Sequence, residues 1–189
     1  MRASVAGLGD CAAAFHRALE AGLSALASRL TPRLRSALNL FEGASSLVQY
    51  QLTEAAYAAA TAGASAFATE FLPVLAAILA PLQFGLTPSL AGALLLKVAT
   101  YVAKQLEPRI RRKRFNLLGA LQFEADVRGL VAFFAVRAGR RARPRFARLL
   151  ALARVLACET QAEAVEEAAK SGGLGKDELA AILRLRADF

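Results

Sequence analysis

Few side chains in this 189-residue chain are of types that do chemistry, and their spacing decides what each is good for. The one histidine, His16, follows Phe15 on a stretch of helical periodicity. Alone it makes neither a zinc site nor a histidine–carboxylate cluster, so a solvated or capping role is expected. Cys11 and Cys158 lie far apart and match neither a disulfide framework nor a metal-ligand spacing. They read as small apolar residues on helices, compatible with a reducing cytosol. Gly172-Gly173-Leu174-Gly175 lacks the lysine and the flanking strand of a phosphate cradle. Glu163, Glu166 and Glu167 read as a solvated acidic face. No catalytic residue, metal ligand or cofactor site is expected, and the chain reads as a non-enzyme.

Two charges are placed differently. Glu178 shares a helical face with Ile182 and Leu185, and Arg148 sits above Leu152 and Val155. A charge on an apolar stripe is tolerated mainly when paired. Both helices must pack to bury Leu149, Leu156, Ile182 and Leu185, so an Arg148–Glu178 salt bridge is expected. The alternative is two exposed flanking charges.

The net charge of +9 is unevenly spread. Residues 1–96 carry five basic and five acidic side chains, residues 97–154 fifteen and three, and residues 155–189 four and seven. A basic middle favours an acidic partner: anionic lipid, nucleic acid or an acidic protein surface. Arg109-Ile110-Arg111-Arg112-Lys113-Arg114 is its densest run. Its readings are a solvated helix end set against the negative pole of the dipole, a lipid or protein surface, or a nucleic-acid patch. The run carries no interleaved aromatics for base stacking, and no nucleic acid is expected as a partner.

The elements that must position these residues are helical, because alanine and leucine dominate and β-branched residues are few. Asp10 reads as the cap of a first helix with Phe15, Leu19, Gly22, Leu26 and Leu30 on one face. Thr31-Pro32 is expected to end that helix and start a second carrying Leu34, Leu38 and Phe41. Residues 46–71 read as helix weakened at Gly63 and Ser65. Residues 71–96 carry no charge. Pro73, Pro81 and Pro88 cut them into pieces too short to span a bilayer, so buried helices are expected, with an inserted hairpin as the alternative. Thr87-Pro88 opens a helix towards Arg114, with Leu95, Val98, Val102 and Leu106 inward and a kink at Pro108. Another helix covers roughly 121–137. A basic connector, 139–143, precedes a helix opened by Pro144 that carries Phe146, Leu149, Ala153 and Leu156. Thr160-Gln161-Ala162-Glu163 is a capping box. Gly172-Gly173 is expected to end that helix and Gly175 to begin the last, with Leu179, Ile182 and Leu185 inward. No signal peptide is apparent. The fold class is all-α, and the length allows one domain of ordinary size or one with a small appendage.

The most specific stretch carries no chemistry. Phe115-Asn116-Leu117-Leu118-Gly119-Ala120-Leu121-Gln122-Phe123-Glu124 is closed by Val127-Arg128. Arg145-Phe146-Ala147-Arg148-Leu149 and Leu183-Arg184-Leu185-Arg186-Ala187-Asp188-Phe189 follow in order. Together they resemble the C-terminal region of subunit 4 of the conserved oligomeric Golgi complex, a vesicle tether. The motif positions are Phe115, Asn116, Leu118, Gly119, Leu121, Gln122, Phe123, Glu124 and Arg128. The resemblance implies an elongated helical rod piece without enzymatic activity, with a larger bundle over 1–138 and a small terminal bundle over 144–189, in which Arg148 pairs with Glu178. It implies a place on the cytoplasmic face of the Golgi membrane and in the cytosol, in retrograde intra-Golgi transport. Its implied partners are the other complex subunits, SNAREs, SNARE regulators and Rab GTPases. Two readings from other classes stand beside it. One is a small membrane-associated protein with an inserted 71–96 hairpin and a lipid-binding basic tract. The other is a basic nucleic-acid-binding helical protein.

Overall fold

Alanine- and leucine-rich sequence becomes helix wherever one face finds a partner. The computed structural model describes residues 2–42, 48–171 and 174–189. Helix α1 (Arg2–Leu38) ends in a 3-10 turn, Asn39–Phe41. Residues 48–53, which are not helical, lead to α2 (Glu54–Ala59), which continues through two wide turns, Ala60–Ala64 and Phe67–Phe71, into α3 (Leu72–Gly85). Then come α4 (Pro88–Ile110), α5 (Leu117–Ala138), a 3-10 segment (Arg140–Phe146), α6 (Ala147–Ala157), α7 (Gln161–Ser171) and α8 (Lys176–Leu183). Among the described residues every regular element is helical. The all-α class read from composition is the class observed.

Helix α5 sits at the centre, packed on α4, on α6 and on the 3-10 segment, while α1 lies along α4 and α3. The expected inward stripe of α4 is buried throughout: Leu95, Val98, Val102 and Leu106. So are Phe146, Leu149, Ala153 and Leu156. One connected apolar core runs from Leu34 to Ile182. Three aromatic groups stud it: Phe41 with Phe67 and Phe71, Tyr50 with Phe115 and Phe123, and Phe134 with Phe133 and Phe146.

Several boundaries differ from expectation. Asp10 is no cap, because the small residues before it continue the helix and leave it as an exposed interior position. Pro32 neither ends nor starts a helix. Buried Leu23 lies before it and buried Leu34 and Leu38 after it, so packing on both sides outweighs the one lost backbone bond. Phe15 is 71% exposed and Leu26 is exposed, and of the expected α1 stripe only Leu19 and Leu30 are even half-buried; the buried leucines of α1 are Leu23, Leu34 and Leu38. Cys11 is exposed and Cys158 follows α6 rather than lying in a helix. Residues 48–53 are not helical, Ser46 lies outside the described residues, and so does the expected stop at Gly172-Gly173. Residues 139–143 are not a free link: most lie within the 3-10 segment, where Ala142 is buried, and Pro144 sits inside it. Helix α6 accordingly starts at Ala147.

Other local readings hold. Gly63 takes φ 94° and Ser65 is extended, so the chain kinks where weakness was expected. Ser65 Oγ then caps the following turn by accepting from Ala68 N–H at 3.1 Å. The run Glu54–Leu82 is apolar and long enough, by length and composition only, to cross a membrane. Gly63 breaks it, and Phe67, Phe71, Leu75 and Leu79 are buried against protein. Residues 71–96 divide between α3, 14 residues long, and α4, with extended Leu86 between. A helix of that length falls short of the roughly 20 residues a span needs.

One glycine is fixed by close approach. A Cβ on Gly119, in the first turn of α5, would lie 1.6 Å from the Tyr50 carbonyl oxygen. A side chain there forces two backbones apart. Gly119→Ala is expected to cost about 3 kcal/mol in denaturant unfolding, the upper end for overpacking. Gly92→Ala, in α4 with nothing within 4 Å of its Cβ, is expected to be neutral or to stabilise by up to about 1 kcal/mol.

Candidate functional site

The Phe115 motif lies where three segments meet. Helix α4 stops at Ile110, two residues past Pro108, and Arg111 and Arg112 turn the chain into an extended stretch. Phe115 N–H donates to Leu185 O at 2.9 Å, and Ala187 N–H donates to Phe115 O at 2.8 Å. Asn116 N–H donates to Tyr50 O at 3.2 Å. The extended strip is thus hydrogen-bonded on one side to the Tyr50 segment and on the other to the end of the chain. These are isolated bridges, not a sheet.

Asn116 uses its whole amide. Its Oδ1 accepts from Gly119 N–H at 2.9 Å, capping α5, and from Leu52 N–H at 3.1 Å. Its Nδ2 donates to Leu52 O at 2.7 Å. The cap explains why α5 begins at Leu117 rather than near Leu121. Phe115 stacks on Tyr50 with ring centroids 5.1 Å apart, and Phe123 lies against both at 5.2 and 5.5 Å. Leu118 and Leu121 are half-buried. Glu124 pairs with Arg128 at 2.5 Å on the outer face, where Arg128 is exposed.

Gln122 leads to a residue the sequence reading did not single out. Its Nε2 donates to Asp126 Oδ1 at 2.8 Å. Tyr50 Oη donates to Oδ2 at 3.0 Å and Ser65 Oγ to Oδ1 at 3.2 Å. Asp126 is buried. Burial pushes its carboxyl up to about 6, and the three donors, Gln122 first, hold it from rising further. Burial also pushes the Tyr50 hydroxyl well above its ordinary value, with the neighbouring carboxylate adding to it. The one signal in the sequence was the i,i+4 spacing of Gln122 and Asp126 on the apolar face of α5.

The last motif is a clasp. The Arg186 side chain is 1% exposed. Its Nη1 donates to Cys158 O at 2.9 Å and to Leu156 O, the carbonyl end of α6. Its Nε and Nη2 grip Asp188 at 2.6 and 3.1 Å, and its guanidinium lies 4.1 Å from the Phe189 ring centroid. Asp188 Oδ2 also accepts Leu117 N–H at 2.8 Å. The hydrogen bond from Arg186 holds the Asp188 carboxyl below its ordinary value.

Arg148 and Glu178 touch, within a larger group. Arg148 Nε donates to both oxygens of Glu107 at 3.0 Å, and its Nη2 meets Glu178. Arg111 bonds Glu107 at 2.8 Å and also meets Glu178. Two arginines and two glutamates therefore alternate across the end of α4, the start of α6 and the first turn of α8. Arg148 is half exposed, so its contacts are well screened. Glu107 and Arg111 were missed, although their i,i+4 spacing is an ion-pair signal. At the next helix, Thr160 Oγ1 accepts Glu163 N–H at 3.2 Å. The Glu163 carboxylate reaches back to Glu159 N–H at 3.1 Å, one residue before the position a capping box uses. His16 is exposed. Among the described residues no cluster of histidine, cysteine and carboxylates could hold a metal.

A family model described as conserved oligomeric Golgi complex subunit 4, C-terminal, matches residues 1–181. The chain is similar to the protein named conserved oligomeric Golgi complex subunit 4 of Arabidopsis thaliana, 29% identical over 187 residues, 96% of this chain and 25% of the relative. The protein of that name from Dictyostelium discoideum is 25% identical over 186 residues, 95% of this chain and 20% of its own length. The one from Bos taurus is 31% identical over 116 residues, 59% of this chain and 15% of its own length. The chain thus spans a quarter or less of the curated relatives it matches.

Two outcomes are expected of the buried groups. Because the folded carboxyl of Asp126 holds its proton more tightly than the unfolded one, the stability that Asp126 contributes is greatest below pH 4. It should fall by roughly 3 kcal/mol as pH rises to about 6, then level off. Urea melts at stepped pH should lose this slope in Asp126→Asn. Arg186→Ala should cost about 3 kcal/mol, since it strands buried carbonyls, whereas Arg148→Ala should cost under about 1 kcal/mol. A double-mutant cycle of Arg148→Ala and Glu178→Ala should give a small, non-zero coupling. Strict additivity would mean the pair contributes nothing.

Proposed function

The chain belongs to the family of C-terminal regions of conserved oligomeric Golgi complex subunit 4, and on that premise we propose that it serves as the C-terminal piece of a Golgi tether. It acts at the cytoplasmic face of the Golgi membrane and in the cytosol, in retrograde intra-Golgi vesicle transport. Its work is protein–protein contact without catalysis. Its partners are the other subunits of the complex, with SNAREs, their regulators and Rab GTPases engaged by the assembly. The Arg148–Glu178 pair belongs to this proposal as a structural fastening of α8, not as a contact residue.

The observation that carries the reading is the family match over residues 1–181. The use the fold makes of its most specific motif supports it. Phe115, Asn116, Gly119, Gln122 and Phe123 are all spent on joining segments of this chain. Such residues build a rigid helical body, and contacts with other proteins then fall to the surface around it.

A chimera tests this. The corresponding region of the Arabidopsis relative is replaced by this chain and expressed in cells lacking that subunit. Golgi retention of a glycosyltransferase and surface lectin binding should be restored, and alkaline carbonate should release the chimera from membranes. A chimera that folds and is expressed, yet restores neither, overturns the proposal. Retention in the carbonate pellet would favour an inserted segment instead.

A further inference from the structure

The basic run Arg109–Arg114 is one block in the sequence, and the fold takes it apart. Arg111 turns into the Glu107–Glu178 network. The other four cations line a cleft of about 640 Å³ beside Phe41 and Glu42. Arg109 has a side chain only 10% exposed, with Nη2 on Glu42 at 2.8 Å and Nη1 on Gln105 O at 2.8 Å. Its Nε is buried without a hydrogen-bond partner among the described residues. Lys113 is 7% exposed and donates to Val48 O at 2.9 Å. Burial pushes its ammonium below the ordinary lysine value. Arg114 donates to Arg184 O at 2.7 Å, and Arg112 projects at the rim.

Four cations thus face one carboxylate, which Arg109 already holds. Two of them, Arg109 and Lys113, are held largely out of water, and the described lining of the cleft carries more positive than negative charge. We propose that this cleft binds a compact anion bearing several phosphates: an inositol polyphosphate or the headgroup of a phosphoinositide. Guanidinium forks and an ammonium at fixed positions suit phosphate oxygens. The volume lies in the range of small-ligand sites rather than of an extended peptide groove. Phe41 is buried edge-on against Phe71, so it offers no open ring face on which a nucleobase would stack. The exposed arginines Arg140, Arg141 and Arg143 provide a contrast. They carry similar charge but lie outside this cleft.

The test uses the 189-residue chain and phytate (myo-inositol hexakisphosphate) in titration calorimetry at low salt. Saturable one-to-one binding is expected. Arg112→Glu should weaken it about tenfold or more. Arg112 is exposed and makes no side-chain hydrogen bond or ion pair among the described residues, so this variant should keep the melting profile of the parent. Arg141→Glu makes the same change in net charge away from the cleft and should leave affinity within about twofold. Sedimentation with phosphatidylcholine vesicles, plain or doped with a phosphatidylinositol phosphate, separates the sources. Binding to doped vesicles that phytate displaces assigns the lipid headgroup. Phytate binding without sedimentation assigns a soluble polyphosphate. Absence of saturable heat overturns the proposal, and so does equal weakening by Arg112→Glu and Arg141→Glu.

Discussion

The peptide of Phe115 is the point on which the rest of the structure turns. Its N–H and its carbonyl are both spent on the end of the chain, at Leu185 and Ala187. The next N–H, of Asn116, is spent on Tyr50. The ring of Phe115 is fully buried, so none of these groups has water to fall back on. Segments far apart in sequence are therefore bound to one extended residue. The start of α5, the exit of α4 and the path of the chain before α2 all follow from that arrangement. Gly119 belongs to the same constraint, since the Tyr50 backbone passes where a side chain would begin.

The two arginines that matter at the C-terminal end work in opposite environments. Arg148 spans Glu107 and Glu178 from a half-exposed position, where screening keeps each contact weak. Arg186 is buried and satisfies carbonyls that α6 leaves open at its end. The charged cluster joins α4, α6 and α8 near the surface, and the buried clasp is the one expected to contribute more to stability. A helical body that must present a surface needs rigidity more than it needs any one exposed pair.

Much of the fold was legible because helical packing writes itself as spacing. The stripes of α4 and α6 were readable, as were the Thr87-Pro88 start and the weak point at Gly63. Pro32 was misread because local rules see a lost backbone bond and not the leucines packed on either side of it. Phe15 was misread because periodicity marks a face but not whether anything covers it. Asp126, Glu107 and Arg186 were missed for a shared reason. Asp126 and Glu107 each have one i,i+4 partner that the spacing could have shown, but their remaining partners, like the carbonyls held by Arg186, come from segments distant in sequence that no local pattern records. The Arg148–Glu178 contact was within reach only because both charges sit on apolar stripes of short helices.

The placement of Leu185 and Ala187 beside Phe115 has a consequence for synthesis. The ribosome makes the chain from its N-terminus, and domains begin to fold as they emerge. While α4 and α5 are already available, the Phe115 peptide still lacks its second neighbour. Its N–H and carbonyl stay in water, and the Leu156 and Cys158 carbonyls stay without Arg186. Until residues 185–187 have left the exit tunnel, these groups cannot make the bonds that the folded chain gives them. Closure of this body is thereby timed to the arrival of one particular turn of chain.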